Sequence, residues 1–137
     1  MLDAIINNKN KKLTTFLNPF SYVLVRMDGI RLDAFNIEID GGLLVRILNI
    51  FGINRERKSF DMTSMAPIFF NNTIKNNKSV YFVGTRENVI DLAIKNIQKE
   101  FPELNILGYH DGYISEKKMV KVLKEINDLN IDYVICG

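Results

Sequence analysis

The stretch VYFVG, from Val80 to Gly84, constrains the fold of this chain more than any other feature. Its first four residues are β-branched or aromatic, so an extended chain would carry apolar side chains on both sides, and the stretch ends in glycine. A strand without a polar side is typical of the centre of a parallel sheet that is covered on both faces. Apolar residues at helical spacing follow from Arg86 to Phe101, and Pro102 ends that pattern. The next strand pattern, LNILGY, completes a β-α-β unit.

The rest of the chain also alternates between strand and helix patterns. The β-favouring runs LTTF and FNIEI begin at Leu13 and Phe35, and DYVICG ends the chain. Helices are predicted after Asn18, from Gly41 onward, within DMTSMAPIFFNNTIKNNK and after Ser115. The helix from Gly41 is apolar on most faces, which predicts that it is buried. We therefore predict the α/β class, with a Rossmann-like parallel sheet flanked by helices in three α/β/α layers.

A single domain over residues 1–137 is expected, because this length suits one core and no repeat or low-complexity tract is visible. The apolar share of 47% predicts a folded chain. A net charge of +2 is too weak to indicate a nucleic-acid partner.

Cellular location is predicted from cysteine content and from apolar runs. One cysteine, Cys136, excludes an internal disulfide and favours the reducing cytoplasm. No apolar run reaches the ~20 residues that cross a bilayer. The first residues, MLDAIINNKNKKL, lack a signal-peptide pattern, and NNKNKK predicts a turn or a loose connection.

Ligands of an open parallel sheet bind beyond the carboxyl ends of its strands. This rule selects five candidate positions: Asn18, 40–42, 84–86, 109–113 and 136–137.

Asp40 is the sharpest of these candidates. A carboxylate at a strand end can act as a general base, and the glycine at Gly41 would allow close approach of a ligand. The alternative is that Asp40 only caps the helix that follows.

The other candidates each have a structural alternative. GTRENV could cradle a phosphate at a helix start, or Thr85 could simply cap that helix. His110 is the one histidine and cannot define a zinc site, and Asp111-Gly112 is a common turn pair. Cys136 is expected to be a buried, unreactive thiol.

The charged run NRERKS, from Asn54 to Ser59, predicts either a solvated loop or a site for a diphosphate. In the second case Arg55 or Arg57 would neutralise the phosphates, which suits a guanidinium group.

Six segments occur in a characteristic order: FLNP, IDGGLLV, RKSFDMTS, VYFVGTRENV, FPELNILGYHDGY and DYVICG. In that order they resemble the WecG/TagA/CpsF glycosyltransferases, from about Leu13 to the end of the chain. The resemblance implies an inverting enzyme that moves an N-acetylmannosamine-type or related sugar from a UDP-sugar to a polyprenyl-diphosphate-linked acceptor. It implies a cytoplasmic location at the inner membrane face, a role in capsule, teichoic acid or common antigen synthesis, and no metal or other cofactor.

The resemblance also implies roles for individual residues. Asp40 matches the proposed base of the family. The substrate-binding positions are Asn18, Gly41, Arg57 (or Arg55) and Asp61. The nucleotide-binding positions are Gly84, Thr85, Gly108, Gly112, Tyr113 and Gly137. Phe16 stands where the family has a threonine.

The family pattern continues with P-K-Q-E after the last strand, whereas this chain ends at Gly137. The chain is therefore interpreted as a fragment, as a natural truncation, or as a chain whose missing part a partner supplies, and two other functions stay open. One is a non-catalytic UDP-sugar-binding domain or synthase subunit. The other is an α/β interaction module that forms a homo-oligomer through its last strand.

Overall fold

The computed structural model describes residues 12–137, so nearly all of the predicted NNKNKK turn lies outside the described residues. The chain divides into two compact units, residues 1–66 and 67–137. The expectation of one domain stays a prediction. None of the helices within residues 12–137 is long and apolar enough to cross a membrane.

The described part of the first unit contains two strands and two helices. They follow one another as β1 (Leu13–Leu17), α1 (Pro19–Met27), β2 (Phe35–Ile39) and α2 (Gly42–Ile50). The strands are parallel, in a register that runs from Leu13 opposite Phe35 to Leu17 opposite Ile39. Because parallel strands need a crossover, α1 makes the connection between them. The carboxyl ends of β1 and β2 therefore lie side by side.

Helix α1 begins where the sequence predicts it. The Asn18 side chain accepts a hydrogen bond from the Ser21 amide at 2.8 Å, and the Ser21 hydroxyl accepts one from the Asn18 amide at 2.9 Å. Pro19 occupies the first turn, where its missing N–H costs nothing. This reciprocal cap fixes the path of the chain directly after β1.

The prediction that α2 is buried on most faces is wrong. Within this helix only Val45 is buried, whereas the side chains of Leu43 and Ile50 are among the most exposed apolar groups of the chain. The described part of the first unit has a sheet of only two strands. So small a sheet offers too little apolar surface to enclose a helix on all sides.

The first element of the second unit is helix α3 (Met65–Lys75), which begins at the boundary between the two units. Then come β3 (Ser79–Val83), α4 (Glu87–Glu100), β4 (Asn105–His110), α5 (Glu116–Asp128) and β5 (Tyr133–Cys136). The three strands are parallel in the order β4-β3-β5. The central position of β3 is confirmed.

Successive side chains of β3 point to opposite faces of this sheet, and both faces are packed against helices. Phe82 packs edge-on against Phe70 of α3, with ring centroids 6.1 Å apart, and Phe70 also meets Phe101 at 5.3 Å. Tyr81 points to the opposite face, where its hydroxyl donates to Glu125 of α5 at 3.3 Å. Helices therefore cover both faces of the sheet in this unit.

The fold class is confirmed, since parallel sheets with five flanking helices within residues 12–137 are consistent with a three-layer α/β fold. The described strands are shared between two sheets, of two and three strands.

Two predicted helix caps are not made. Arg86, rather than Thr85, stands at the N-cap of α4, because Thr85 adopts a left-handed conformation with φ of 49°. Ser115 does stand at the N-cap of α5, but its side chain makes no capping hydrogen bond.

Asp132 ties the amino-terminal ends of β3 and β5 together. Its carboxylate accepts from Lys78 Nζ at 2.8 Å, from the Ser79 amide at 2.9 Å and from the Ser79 hydroxyl at 3.0 Å. The hydrogen bond from Lys78, with those from Ser79, lowers the pKa of Asp132 from 3.8 to about 2. The ionised form is therefore the one that the fold stabilises.

We predict that Asp132 makes the second unit sensitive to acid. Its pKa is lower in the folded chain than in the unfolded chain. Its stabilising contribution is therefore complete above about pH 4 and is lost as the pH falls towards about 2. Asp132→Asn should lower the melting temperature at pH 7 and flatten its decline between pH 4 and 2. Thermal unfolding followed by circular dichroism at a series of pH values measures both effects.

The matched control is Asp128→Asn at the end of α5. A negative charge is unfavourable at a helix C-terminus, so this change should not lower the melting temperature at pH 7. Equal acid dependence in the wild type and in Asp132→Asn would contradict the assigned role.

Candidate active site

Asp40 lies directly beyond the carboxyl end of β2. Its amide donates to the Leu17 carbonyl at 2.9 Å, which continues the β1–β2 pairing by one more hydrogen bond. This bond fixes the backbone of Asp40 at the sheet edge. The side chain is 30% exposed, so the carboxylate is accessible from solvent.

Asn18 and Gly41 belong to the same edge. A Cβ on Gly41 would lie 3.2 Å from Pro19 Cδ, which is a tight contact, and 3.9 Å from Asn18 Cα, which is an ordinary one. The missing side chain thus lets the turn after β2 pass beside the turn after β1. The structure brings Asn18, Asp40 and Gly41 together, as the strand-end rule predicts.

Both oxygens of the Asp40 carboxylate have a partner. Arg57 Nε donates to Oδ1 at 3.1 Å, and the Ser59 hydroxyl donates to Oδ2 at 3.0 Å. The N-cap of α2 is Gly41, without any side-chain capping bond. The alternative that Asp40 caps this helix is therefore wrong.

The two candidate arginines differ in what holds them. Arg55 is held through its backbone, because its amide donates to Asn49 Oδ1 at 2.8 Å and its carbonyl accepts from Asn49 Nδ2 at 3.2 Å. Arg57 is the arginine whose guanidinium reaches Asp40. The same guanidinium lies 3.9 Å from Asp61 Oδ2. A positive group therefore lies between two carboxylates.

Asp61 organises the loop that precedes α3. Its Oδ1 accepts from the Thr63 amide at 2.9 Å, from the Thr63 hydroxyl at 2.7 Å and from the Ser64 hydroxyl at 2.8 Å. Hydrogen bonding from Thr63, then from Ser59 and Ser64, holds the pKa of Asp61 well below its usual range. Three hydrogen bonds to one oxygen favour the ionised form of Asp61, which makes this carboxylate a weak proton acceptor.

The second candidate edge lies in the second unit, where four of the predicted positions meet at the strand ends. The Thr85 amide donates to the Gly137 carbonyl at 2.9 Å, and the Gly112 amide donates to the Thr85 carbonyl at 2.8 Å. A Cβ on Gly84 would lie 1.9 Å from the Gly137 oxygen, so only glycine fits there. The amides of Thr85 and Gly112 are engaged within the fold, so a phosphate would have to be held by other groups.

Tyr113 and Gly108 are placed differently from those four. The Tyr113 amide donates to Asp111 Oδ1 at 2.9 Å, and the tyrosine side chain is 79% exposed. Gly108 lies inside β4, opposite Tyr81, next to an irregularity in the pairing with β3. A Cβ on Gly108 would lie 2.5 Å from Tyr81 Cε2. The visible reason for this glycine is therefore the packing of the Tyr81 ring.

A cavity of about 140 Å³ near the end of β4 is lined by three acidic residues, Glu87, Asp91 and Asp111, and by His110, which pairs with Asp111. Tyr109 also lines it, and a hydrogen bond with Asp91 raises the pKa of that phenol. This acidic lining disfavours a diphosphate. Among residues 12–137, no group of three or more acidic, histidine or cysteine side chains could hold a metal ion.

Cys136 is exposed, so the prediction that this residue is buried is wrong. It lies on β5, which pairs with β3. Partial burial of its sulfur still raises the pKa of the thiol, which fits an unreactive cysteine.

Comparison with known proteins assigns the family. A family model described as "Glycosyl transferase WecG/TagA/CpsF family" matches residues 1–137. The chain belongs to the WecG/TagA/CpsF family of glycosyltransferases. The resemblance seen in the six ordered segments is thereby confirmed.

Two curated relatives illustrate this membership of the WecG/TagA/CpsF family. A Shigella boydii protein, named UDP-Gal:alpha-D-GlcNAc-diphosphoundecaprenol beta-1,4-galactosyltransferase, is 33% identical over 94% of this chain and 56% of its own length. A Bacillus subtilis protein, named N-acetylglucosaminyldiphosphoundecaprenol N-acetyl-beta-D-mannosaminyltransferase, is 33% identical over 44% of this chain and 23% of its own length. The chain spans about half the length of the first of these relatives.

Ser59 is the residue of the Asp40 cluster that the sequence did not reveal. The available signal was its spacing, since Arg57 and Ser59 are two residues apart and point the same way in an extended segment. This signal becomes readable only when Arg57 is known to contact Asp40.

We predict that Gly108→Ala destabilises the second unit because the new methyl group would overlap the Tyr81 ring. Overpacking of this kind costs about 1–3 kcal/mol. Chemical denaturation measures the loss. The control is Gly42→Ala, where nothing lies within 4 Å of the new Cβ and alanine favours the helix. Unchanged stability of Gly108→Ala combined with weaker UDP binding would instead indicate a nucleotide contact.

Proposed function

We propose that this chain contains the acceptor-activating site of a glycosyltransferase. The reaction moves a hexose from a UDP-sugar to a saccharide carried on a polyprenyl diphosphate. Family membership supports this proposal, as do the names of the relatives, which specify diphosphoundecaprenol-linked acceptors. One relative is named for galactose and the other for N-acetylmannosamine, so the donor class is a UDP-hexose of either kind.

The observation that supports the proposal is the position of the Asp40 carboxylate and its hydrogen bonding. It lies at the carboxyl edge of a parallel sheet, is partly open to solvent, and is held through both oxygens by Arg57 and Ser59. Such a carboxylate has a fixed orientation and unused lone pairs, because each oxygen can accept two hydrogen bonds. Those are the properties that a general base requires.

In the proposed reaction the acceptor hydroxyl gives its proton to Asp40. Its oxygen then forms a bond to the anomeric carbon of the donor. The bond from that carbon to the diphosphate oxygen breaks, and UDP leaves with the electron pair. Attack opposite the leaving group inverts the anomeric centre, so one base is sufficient and no metal is required by the chemistry proposed.

Substrate contacts complete the proposal. We assign the substrate contacts of the first unit to Asn18, Gly41, Arg57 and Asp61, and among these four Arg57 is the positive group suited to a diphosphate. We assign the nucleotide to the glycine-rich strand ends at Gly84, Thr85, Gly112 and Gly137, with Tyr113 and Gly108 as further predicted contacts. This assignment is supported by the meeting of these strand ends at the carboxyl edge of the sheet, where ligands of parallel sheets bind.

The cellular setting follows from the acceptor. A polyprenyl-linked substrate is held in a membrane, so we place the protein in the cytoplasm, peripherally at the inner face of the cell membrane. A homo-oligomer is part of the proposal because β5 pairs with β3 alone among the described strands, and a free edge favours association.

We predict that Asp40→Asn abolishes transfer with little change in UDP binding. The asparagine keeps the shape of the side chain but cannot take up the proton, so kcat should fall about 10²- to 10⁴-fold. Transfer from UDP-galactose and from UDP-N-acetylmannosamine to an N-acetylglucosaminyl-diphosphate lipid is the assay, and calorimetry measures UDP binding.

The matched control is Asp33→Asn in the same unit, an exposed carboxylate that pairs with Arg31. This variant should transfer sugar as the wild type does. Full activity of Asp40→Asn would exclude it as the base. UDP binding by the intact protein without transfer to any acceptor would indicate the non-catalytic binding domain instead.

A further inference from the structure

We infer that Ser59 is a positioning residue that fixes the rotation of the Asp40 carboxylate. This inference rests on the proposed function, because it matters only if Asp40 is the base. The inference is based on the 3.0 Å hydrogen bond from Ser59 Oγ to Asp40 Oδ2.

Ser59 is itself held in place. The residue is 8% exposed, although it lies in a segment without regular secondary structure. Its carbonyl accepts from the Met65 amide at 3.3 Å and from the Ser64 hydroxyl at 2.7 Å. The hydroxyl that reaches Asp40 therefore extends from a fixed backbone.

The segment around Ser59 is also in register with β2. The Lys58 amide donates to the Ile39 carbonyl at 2.9 Å, and Lys58 Nζ pairs with Glu38 at 3.1 Å. Side chains alternate along an extended chain, so the neighbours of Lys58 point the other way, towards Asp40. One backbone hydrogen bond thus places two donors, Arg57 and Ser59, on the same carboxylate.

The two donors restrain Asp40 to different degrees. Arg57 has a long side chain that is 56% exposed and also lies near Asp61. Ser59 has a single rotatable bond before its hydroxyl and is buried. The terminal torsion of an aspartate is broad, so the orientation of the carboxylate depends on what bonds to its oxygens. Ser59 is the more rigid of the two restraints.

The Ser59 hydroxyl lies near both carboxylates, and a hydroxyl donates one hydrogen bond at a time. Its hydrogen bond goes to Asp40 Oδ2 at 3.0 Å. Asp61 Oδ1 accepts from the hydroxyls of Thr63 and Ser64 instead. In this arrangement Ser59 therefore restrains Asp40, although its nearness also helps to lower the pKa of Asp61.

The test compares Ser59→Ala with Ser59→Thr, which keeps the hydroxyl, and with Ser115→Ala, a serine whose side chain makes no capping bond. Loss of orientation should lower kcat roughly 10- to 100-fold in Ser59→Ala while KM for donor and acceptor stays unchanged. Ser59→Thr should restore most of the rate, and Ser115→Ala should match the wild type. A purely structural role would not produce this split between kcat and KM or this rescue by threonine.

A second measurement does not depend on catalysis. Introduced into the wild-type protein, Ser59→Ala should lower the midpoint of unfolding. Introduced into Asp40→Ala, the same substitution should have a smaller effect, because the carboxylate that accepts the Ser59 hydrogen bond is already absent. Equal shifts in the two backgrounds would overturn the contact.

The outcomes separate the inference from the proposed function. Normal kcat in Ser59→Ala, with Asp40→Asn inactive, would overturn the role of Ser59 and leave the base assignment intact. Absence of transfer by the wild-type protein would overturn the proposed function, and the positioning role with it, even if the two residues are coupled in unfolding.

Discussion

The Asp40 site depends on one set of backbone hydrogen bonds at the end of β2. The pairing of Leu17 with Ile39 ends the two-stranded sheet, the Asp40 amide extends it by one bond, and the Lys58 amide occupies the Ile39 carbonyl. Three separate stretches of chain are thereby brought to one point. The contacts of Arg57 and Ser59 with Asp40 depend on this register, since a shift of one residue would turn both side chains away from Asp40.

In the second unit, close approach at two glycines adds to the side-chain contacts that hold the sheet and its helices together. At Gly84 the backbone of residue 137 occupies the space of a side chain, and at Gly108 the Tyr81 ring does so. Both glycines belong to a strand pattern in the sequence, but each is required for a different structural reason. One lets the strand ends meet, and the other lets a large buried ring lie against the neighbouring strand.

Local pattern explains what could be predicted. FNIEI is a strand from Phe35 to Ile39, and the Asn18-Pro19 start of α1 is formed as expected, because such signals act over a few residues. The strand-end rule then selected Asp40 and Gly41 from topology alone. What could not be predicted depends on residues distant in the chain. Arg57 and Ser59 lie 17 and 19 residues from Asp40, in a segment with no periodic pattern. The exposure of α2 likewise depends on what the rest of the unit can cover.

The pair of donors on Asp40 has a consequence for ionic strength. The Arg57 contact joins two charged, partly exposed groups, so dissolved ions screen it over a Debye length of about 8 Å under physiological conditions. The Ser59 contact comes from a neutral, buried hydroxyl, which mobile ions affect far less. The carboxylate is thus held by one restraint that weakens in a saline medium and one that does not. The orientation of the carboxylate is therefore expected to persist as the salt concentration rises.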